Sequence, residues 1–156
     1  MLAAAGKLIE KEGLASLSVR EAARRAGVSH NAPYRHFPDR DALLAALATE
    51  GFTELKESLK NRSGRKLGEA YLRFALAHPQ RFRLMFAAGK GGEMRERFAE
   101  AFAGLGAEAN VAAAAAWSLV HGLAGLILDG HLENSEDFVK RVLGAIRLAV
   151  GPQRSA

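Results

Sequence analysis

The chain contains no cysteine, which excludes disulfides and thiolate metal sites and says nothing about redox compartment. No stretch shows the apolar–polar alternation of a half-buried strand, so the expected fold is all-α. No basic, then apolar, then small-residue signal opens the chain, and the expected location is the cytoplasm. Its five histidines show no recurring paired-His metal spacing. The run Gly89 to Gly92 follows no strand, so it is not a nucleotide-binding loop. No catalytic constellation stands out, and neither an enzyme nor a cofactor is expected. Prolines number only four: Pro38, Pro79 and Pro152 fall where a helix would start or stop, while Pro33 falls within a stretch with helical spacing.

What is present is an ordinary soluble composition, 49% hydrophobic and 25% charged over 156 residues. That length suits one or two small domains with a real core, but not a large enzyme. The net charge of +5 is modest; its placement says more. Between Arg20 and Arg40 five arginines face two acids, with His30 and His36 beside them, a pattern suited to a polyanionic partner.

Helical spacing runs through the chain. Leu2, Ala5, Leu8 and Ile9 form a stripe ending near Gly13, and Leu14 and Leu17 lead to the next helix. There Ser18 can cap, with Glu21 reaching back to complete a capping box. Val19, Ala22, Ala23 and Ala26 share one face, mostly alanine, which lets a second helix approach closely. Gly27 supplies a left-handed stop, Val28 an apolar plug, and Ser29 the next cap. A short segment bearing Tyr34 and Phe37 follows until Pro38. Pro33 conflicts with a helix capped at Ser29; a start at Asn31 would put Pro33 in the first turn, and a distorted opening is the other reading. The whole stretch is a helix-turn-helix by spacing.

Asp39 can cap a long helix to about Lys60, with Leu44, Leu47, Leu55 and Leu59 buried. After a polar break at Asn61 to Gly64, Leu67, Tyr71, Phe74 and Ala75 continue to His78-Pro79. Phe82, Met85 and Phe86 share a face of the next helix, and Gly89 to Gly92 is the most flexible stretch. Met94, Phe98 and Phe102 form the narrow seam of a surface helix. Val111 to Leu128 carries no charge and touches the lower length limit for a membrane span. It is alanine-rich and flanked by Glu108 and Asp129, so it reads as a helix inside protein, one side covered by a partner subunit. Asn134 or Ser135 caps a last helix with Phe138, Val142, Ala145, Ile146 and Ala149 as its stripe.

Ser18, Ala26-Gly27-Val28-Ser29, Tyr34-Arg35-His36-Phe37, Arg40 and Leu43-Leu44 together resemble the DNA-binding domain of the TetR (tetracycline repressor) family, over about the first third of the chain. Trp117-Ser118-Leu119-Val120-His121-Gly122, preceded by His78-Pro79 and a Phe-rich helix, is similar to the ligand-domain signature of the TetR subgroup named for Trp-His-Gly. The resemblance implies an N-terminal three-helix bundle with the helix-turn-helix at 1–47, a helical effector-binding and dimerisation domain at 48–151, and a tail at 152–156. Family members usually carry a longer basic lead-in before the first helix; either an N-terminal piece precedes this stretch or the protein dispenses with the arm.

By the same resemblance, Ser29 to Phe37 reads DNA. His30, Asn31 and Ala32 take the base-facing positions beside Pro33, Asn31 being suited to a bidentate contact with adenine. Tyr34 and His36 match phosphate-contacting residues; the alternative is that they merely pack the small domain. Ser18 and Arg20 approach DNA from the preceding helix, and Arg40 supplies the basic residue at the start of the next. Candidate effector residues are Tyr71, Phe74, Phe82, Met85, Phe86, Trp117 and His121. The pair Trp117 and His121, four apart on one face, either walls a pocket or forms a buried pair satisfied by each other or by a neighbouring backbone group. Gly122 and Gly125 permit close helix packing.

The expected protein is therefore a homodimer, paired through its last two helices, that binds double-stranded DNA and a small-molecule effector and does not enter a membrane. Repression with effector-driven release is the family default. The competing reading is a small helical binding or adaptor module that keeps the fold without binding DNA.

Overall fold

The computed structural model describes residues 1–29, 33–87 and 92–150. Among them no strand occurs, and helices follow one another from α1 (Leu2–Glu12) to α8 (Glu136–Val150). They separate into two compact units. One draws on residues between Met1 and Glu57 and between Ala77 and Met94; the other draws on Ser58–Leu76 and on the chain from Arg95 onward.

In the first unit α1 buries Ala5, Leu8 and Ile9, the stripe its spacing predicts. A 3-10 turn at Leu14–Ser16 leads to the buried Leu17. Helix α2 (Val19–Arg25) turns Val19, Ala22 and Ala23 inward. It stops as expected at Gly27, whose φ of 68° a side chain would resist. The Gly27 N–H donates to the Arg24 carbonyl and the Val28 N–H to the Ala23 carbonyl, the paired bonds of a left-handed helix stop. Val28 is no plug, however: it is 43% exposed. A single 3-10 turn, Pro33–Arg35, follows.

Helix α3 (Arg40–Leu59) starts where Asp39 accepts the Ala42 N–H at 2.7 Å, the expected cap. Its covered face departs from expectation. Leu43 and Leu47 are buried in the early turns and Phe52, Leu55 and Leu59 in the later ones, while Leu44 is only half-buried. The face rotates along the helix, and Leu44 points along the later direction, where at its level it is covered only in part. Helix α5 (Pro79–Ala87) has Pro79 at its first position, where a missing N–H costs nothing. A Cβ at Gly51 would lie 2.6 Å from the Met85 sulfur, so α3 and α5 approach closely only because position 51 is bare.

In the second unit α4 (Gly64–Ala77) buries Leu67, Ala70, Tyr71, Leu72, Phe74 and Ala75. Beside it lie the end of α6 (Gly92–Ala101), α7 (Ala109–Leu128) and α8. A Cβ at Gly68 would come within 3.2 Å of both Val120 and Leu143, which marks where α4 meets α7 and α8. Ser135, rather than Asn134, caps α8, accepting the Phe138 N–H at 3.2 Å. On α8 Leu143 is buried, Phe138 and Val142 are half-buried and Ala145 is exposed. Leu143 is thus an inward residue that the expected stripe does not include; the side chains of Ile146 and Ala149, and residues 88–91, lie outside the described residues.

Candidate nucleic-acid interface and aromatic cluster

The helix-turn-helix opens at Ser18, whose hydroxyl accepts the Glu21 N–H at 3.1 Å. The reciprocal half of the capping box does not form. Glu21 turns its carboxylate outward to Arg24, at 2.8 and 2.7 Å, and to Arg25, at 2.7 Å. Charge-assisted bonds to two guanidiniums outcompete one backbone amide. These bonds, Arg24 first and Arg25 second, hold the Glu21 carboxyl down at about 2. Arg25 also reaches Glu12 on α1 at 2.7 Å. Two of the five arginines in this segment therefore spend their charge on neighbouring carboxylates, and the outward basicity rests more on Arg20 and Arg35.

Arg20, Tyr34, Arg35 and His36 are all exposed. Tyr34 is 43% exposed, so it does not fill the small core; Pro33 does, buried at the start of its turn. The Phe37 N–H donates to the Pro33 carbonyl at 2.8 Å, so Pro33 opens the described turn, whose bonds use its carbonyl and not its missing N–H. The calls on His30, Asn31 and Ala32 lie outside the described residues. Arg40 sits at the first position of α3, as expected, yet its guanidinium is engaged within the protein. Its Nε donates to the Leu17 carbonyl at 3.0 Å and its Nη2 to the Leu14 carbonyl at 2.8 Å.

The seven effector candidates divide between the units. Phe82 and Phe86, with ring centroids 4.9 Å apart, pack with Phe52 in the first unit, 5.3 Å from Phe86; Met85 is fully buried against Gly51. Tyr71, Trp117 and His121 come together in the second unit, where Phe74 is also buried. The Trp117 Nε1–H donates to the Tyr71 hydroxyl at 3.2 Å, and that hydroxyl lies 2.8 Å from Nδ1 of His121. Indole can only donate, so the Tyr71 oxygen accepts from it, while the direction of the bond between Tyr71 and His121 follows the imidazole tautomer. Burial disfavours the imidazolium and pushes the His121 pKa below its usual value. Burial likewise pushes Tyr71 well above the usual phenol range, with the Trp117 bond pulling the other way.

Trp117 and His121 thus share a third residue, Tyr71, as a hydrogen-bond partner. Phe98 of α6 closes the group, its ring 5.8 Å from Tyr71 and 6.5 Å from Trp117. The Trp–His spacing was readable; Phe98 read only as a seam residue, and nothing local marked Tyr71 as the centre.

The comparisons agree with this architecture. Residues 1–47 match the family described as bacterial regulatory proteins, tetR family, and residues 65–146 match the tetracyclin repressor-like C-terminal domain. No match is found among curated proteins. Among solved structures, the chain is similar to a protein of unknown function from Rhodococcus sp. RHA1 at 32% identity and a TM-score of 0.79, covering 95% of this chain and 90% of that one. It shares its fold with a TetR-like transcriptional regulator from the same organism, at 18% identity, a TM-score of 0.64 and coverage of 97% and 94%. It also shares it with TetR from Acinetobacter baumannii AYE, at 20% identity, a TM-score of 0.62 and coverage of 95% of each chain. An all-α chain with a capped helix-turn-helix at its amino end, matched over both halves, belongs to the TetR family of DNA-binding bacterial transcriptional regulators.

Proposed function

We propose that this chain is a cytoplasmic, homodimeric repressor that binds a palindromic operator and is released by a small-molecule effector, with residues 1–47 reading DNA and 48–151 binding effector and partner. The observation that carries the dimer is the outward face of α7. Val111, Leu119 and Leu126 are 64%, 42% and 46% exposed, and Ala114, Ala115, Ser118 and Gly122 share their side of the helix. By length and composition this helix, Ala109–Leu128, would also suffice to cross a membrane. Its other face, however, carries Trp117 and His121 in hydrogen bonds to a tyrosine, which suits packing within protein. An uncharged stripe of small and branched residues with a bare Gly122 suits a second copy of the same helix.

Two copies related by a two-fold axis would set two reading turns in successive major grooves, about 34–36 Å apart or a multiple of that. Ser18, Arg20, Tyr34 and His36 would hold backbone phosphates, and His30, Asn31 and Ala32 would face the bases, with Ser29 ahead of them and the buried Pro33 anchoring the turn beside them. The half-buried Trp117 and His121, backed by Tyr71, form the wall we assign to the effector. An effector preferring one orientation of α3 would change the separation of the reading turns and so release DNA. Selection of bound sites from a random duplex pool tests the reading. An inverted repeat is expected, Tyr34→Ala should weaken binding on all sequences with a shallower salt dependence, and Asn31→Ala should loosen base choice. Failure to enrich any repeated half-site would refute it.

A further inference from the structure

Arg40 stands where a phosphate-binding residue is expected, but the structure gives it different work. A cation in the first turn of a helix opposes the helix dipole, so its place is not explained by the stability of α3. Its fork reaches back across the fold instead, to the carbonyls of Leu14 and Leu17 at 2.8 and 3.0 Å. The Leu17 carbonyl belongs to the same peptide plane as the Ser18 N–H, and Ser18 is the residue whose hydroxyl opens α2. The Leu14 carbonyl also accepts the Leu17 N–H at 3.3 Å. One side chain therefore ties the first turn of α3 to the backbone that aims α2. A planar fork can hold two carbonyls at once; an ammonium on a flexible stem cannot do so with the same rigidity.

We propose that Arg40 is a positioning residue for DNA recognition: it joins α3 to the entry of α2, so that the reading elements follow α3, and it contributes no phosphate contact of its own. This deepens the DNA-binding reading and rests on it.

The test uses the full chain with Arg40→Ala and Arg40→Lys. Affinity is measured across a salt series on a random-sequence duplex and on the site that the wild-type protein selects from a random pool. A lost phosphate contact would lower affinity on both duplexes equally, reduce the salt slope by roughly 0.9, and be restored by lysine. Simple loss of folded protein would lower both affinities equally with the slope unchanged. Loss of positioning should leave the slope and the random-duplex affinity near wild type, reduce the preference for the selected site about tenfold or more, and persist in Arg40→Lys. Equal loss on both duplexes, or rescue by lysine, overturns the proposal. A wild-type protein that binds neither duplex would instead sink the DNA-binding reading.

Discussion

Tyr71 satisfies two partners with one oxygen, and the consequences can be measured. Tyr71→Phe keeps the ring and its packing but removes the hydroxyl that bonds Trp117 Nε1 and His121 Nδ1. We expect a loss of about 1–3 kcal/mol, the range for deleting one partner of part-buried polar groups, read from the urea midpoint. His121 gives a pH dependence of definite sign. Its folded pKa lies below the unfolded value because burial disfavours the charged ring, so the unfolded chain binds more protons just below pH 6.5. Stability should therefore be complete above that value and fall as pH drops through it. His121→Gln should flatten the fall between pH 7.5 and 5.5 in thermal scans; a dependence equal to wild type would show that the titration lies elsewhere. The partnership itself was only half legible. A spacing of four places Trp117 and His121 on one helix face, but their shared partner lies 50 positions from His121, and no local pattern encodes that.

The helices show the same division between near and far information. Ser18, Asp39 and Ser135 each cap the helix that follows them directly, and each was readable because its partner lies three residues on. The start of α5 is capped from elsewhere. Glu10 of α1 accepts the Gln80 and Arg81 N–H groups at 3.1 and 2.9 Å, a carboxylate at the positive end of a helix. Arg81, itself almost fully buried, then grips Glu54 of α3 at 3.0 and 2.7 Å. Only folding brings Glu10 and Glu54 to those places. Glu10→Ala should cost about 1 kcal/mol, the usual worth of a helix cap, and Glu10→Gln, which keeps one acceptor, should cost less. Urea denaturation of both variants checks this; equal losses would assign the effect to charge rather than capping. The missed capping box at Glu21 has a local cause, for its two competing guanidiniums lie only three and four residues on, and the rule that pairs Glu21 with the Ser18 amide does not weigh them.

At the scale of the molecule, the helical plan and the amino-terminal motif were legible because periodicity and punctuation repeat over many residues. Which side of the uncharged helix faces outward was not, because a run without polar residues has no amphipathic phase to read. The structure supplies that phase, with Val111, Leu119 and Leu126 outward and Ala113, Val120, Leu123, Ala124 and Ile127 inward. Leu119→Glu should therefore leave the subunit folded while setting two like charges across a two-fold interface. Light scattering should then report a monomer, and the melting temperature should lose its dependence on protein concentration. DNA affinity should drop steeply, because two linked sites bind far better than one. A Leu119→Glu protein that stays dimeric would remove α7 from the interface.

The chain holds a single tryptophan, and it sits in van der Waals company with a histidine, a tyrosine and a phenylalanine. Indole emission from this protein thus comes from one address. Protonation of the neighbouring imidazole, displacement of the phenyl ring beside it, or arrival of a small molecule would each alter that light. The regulator carries its own optical gauge, and titrations can be followed without attaching a label.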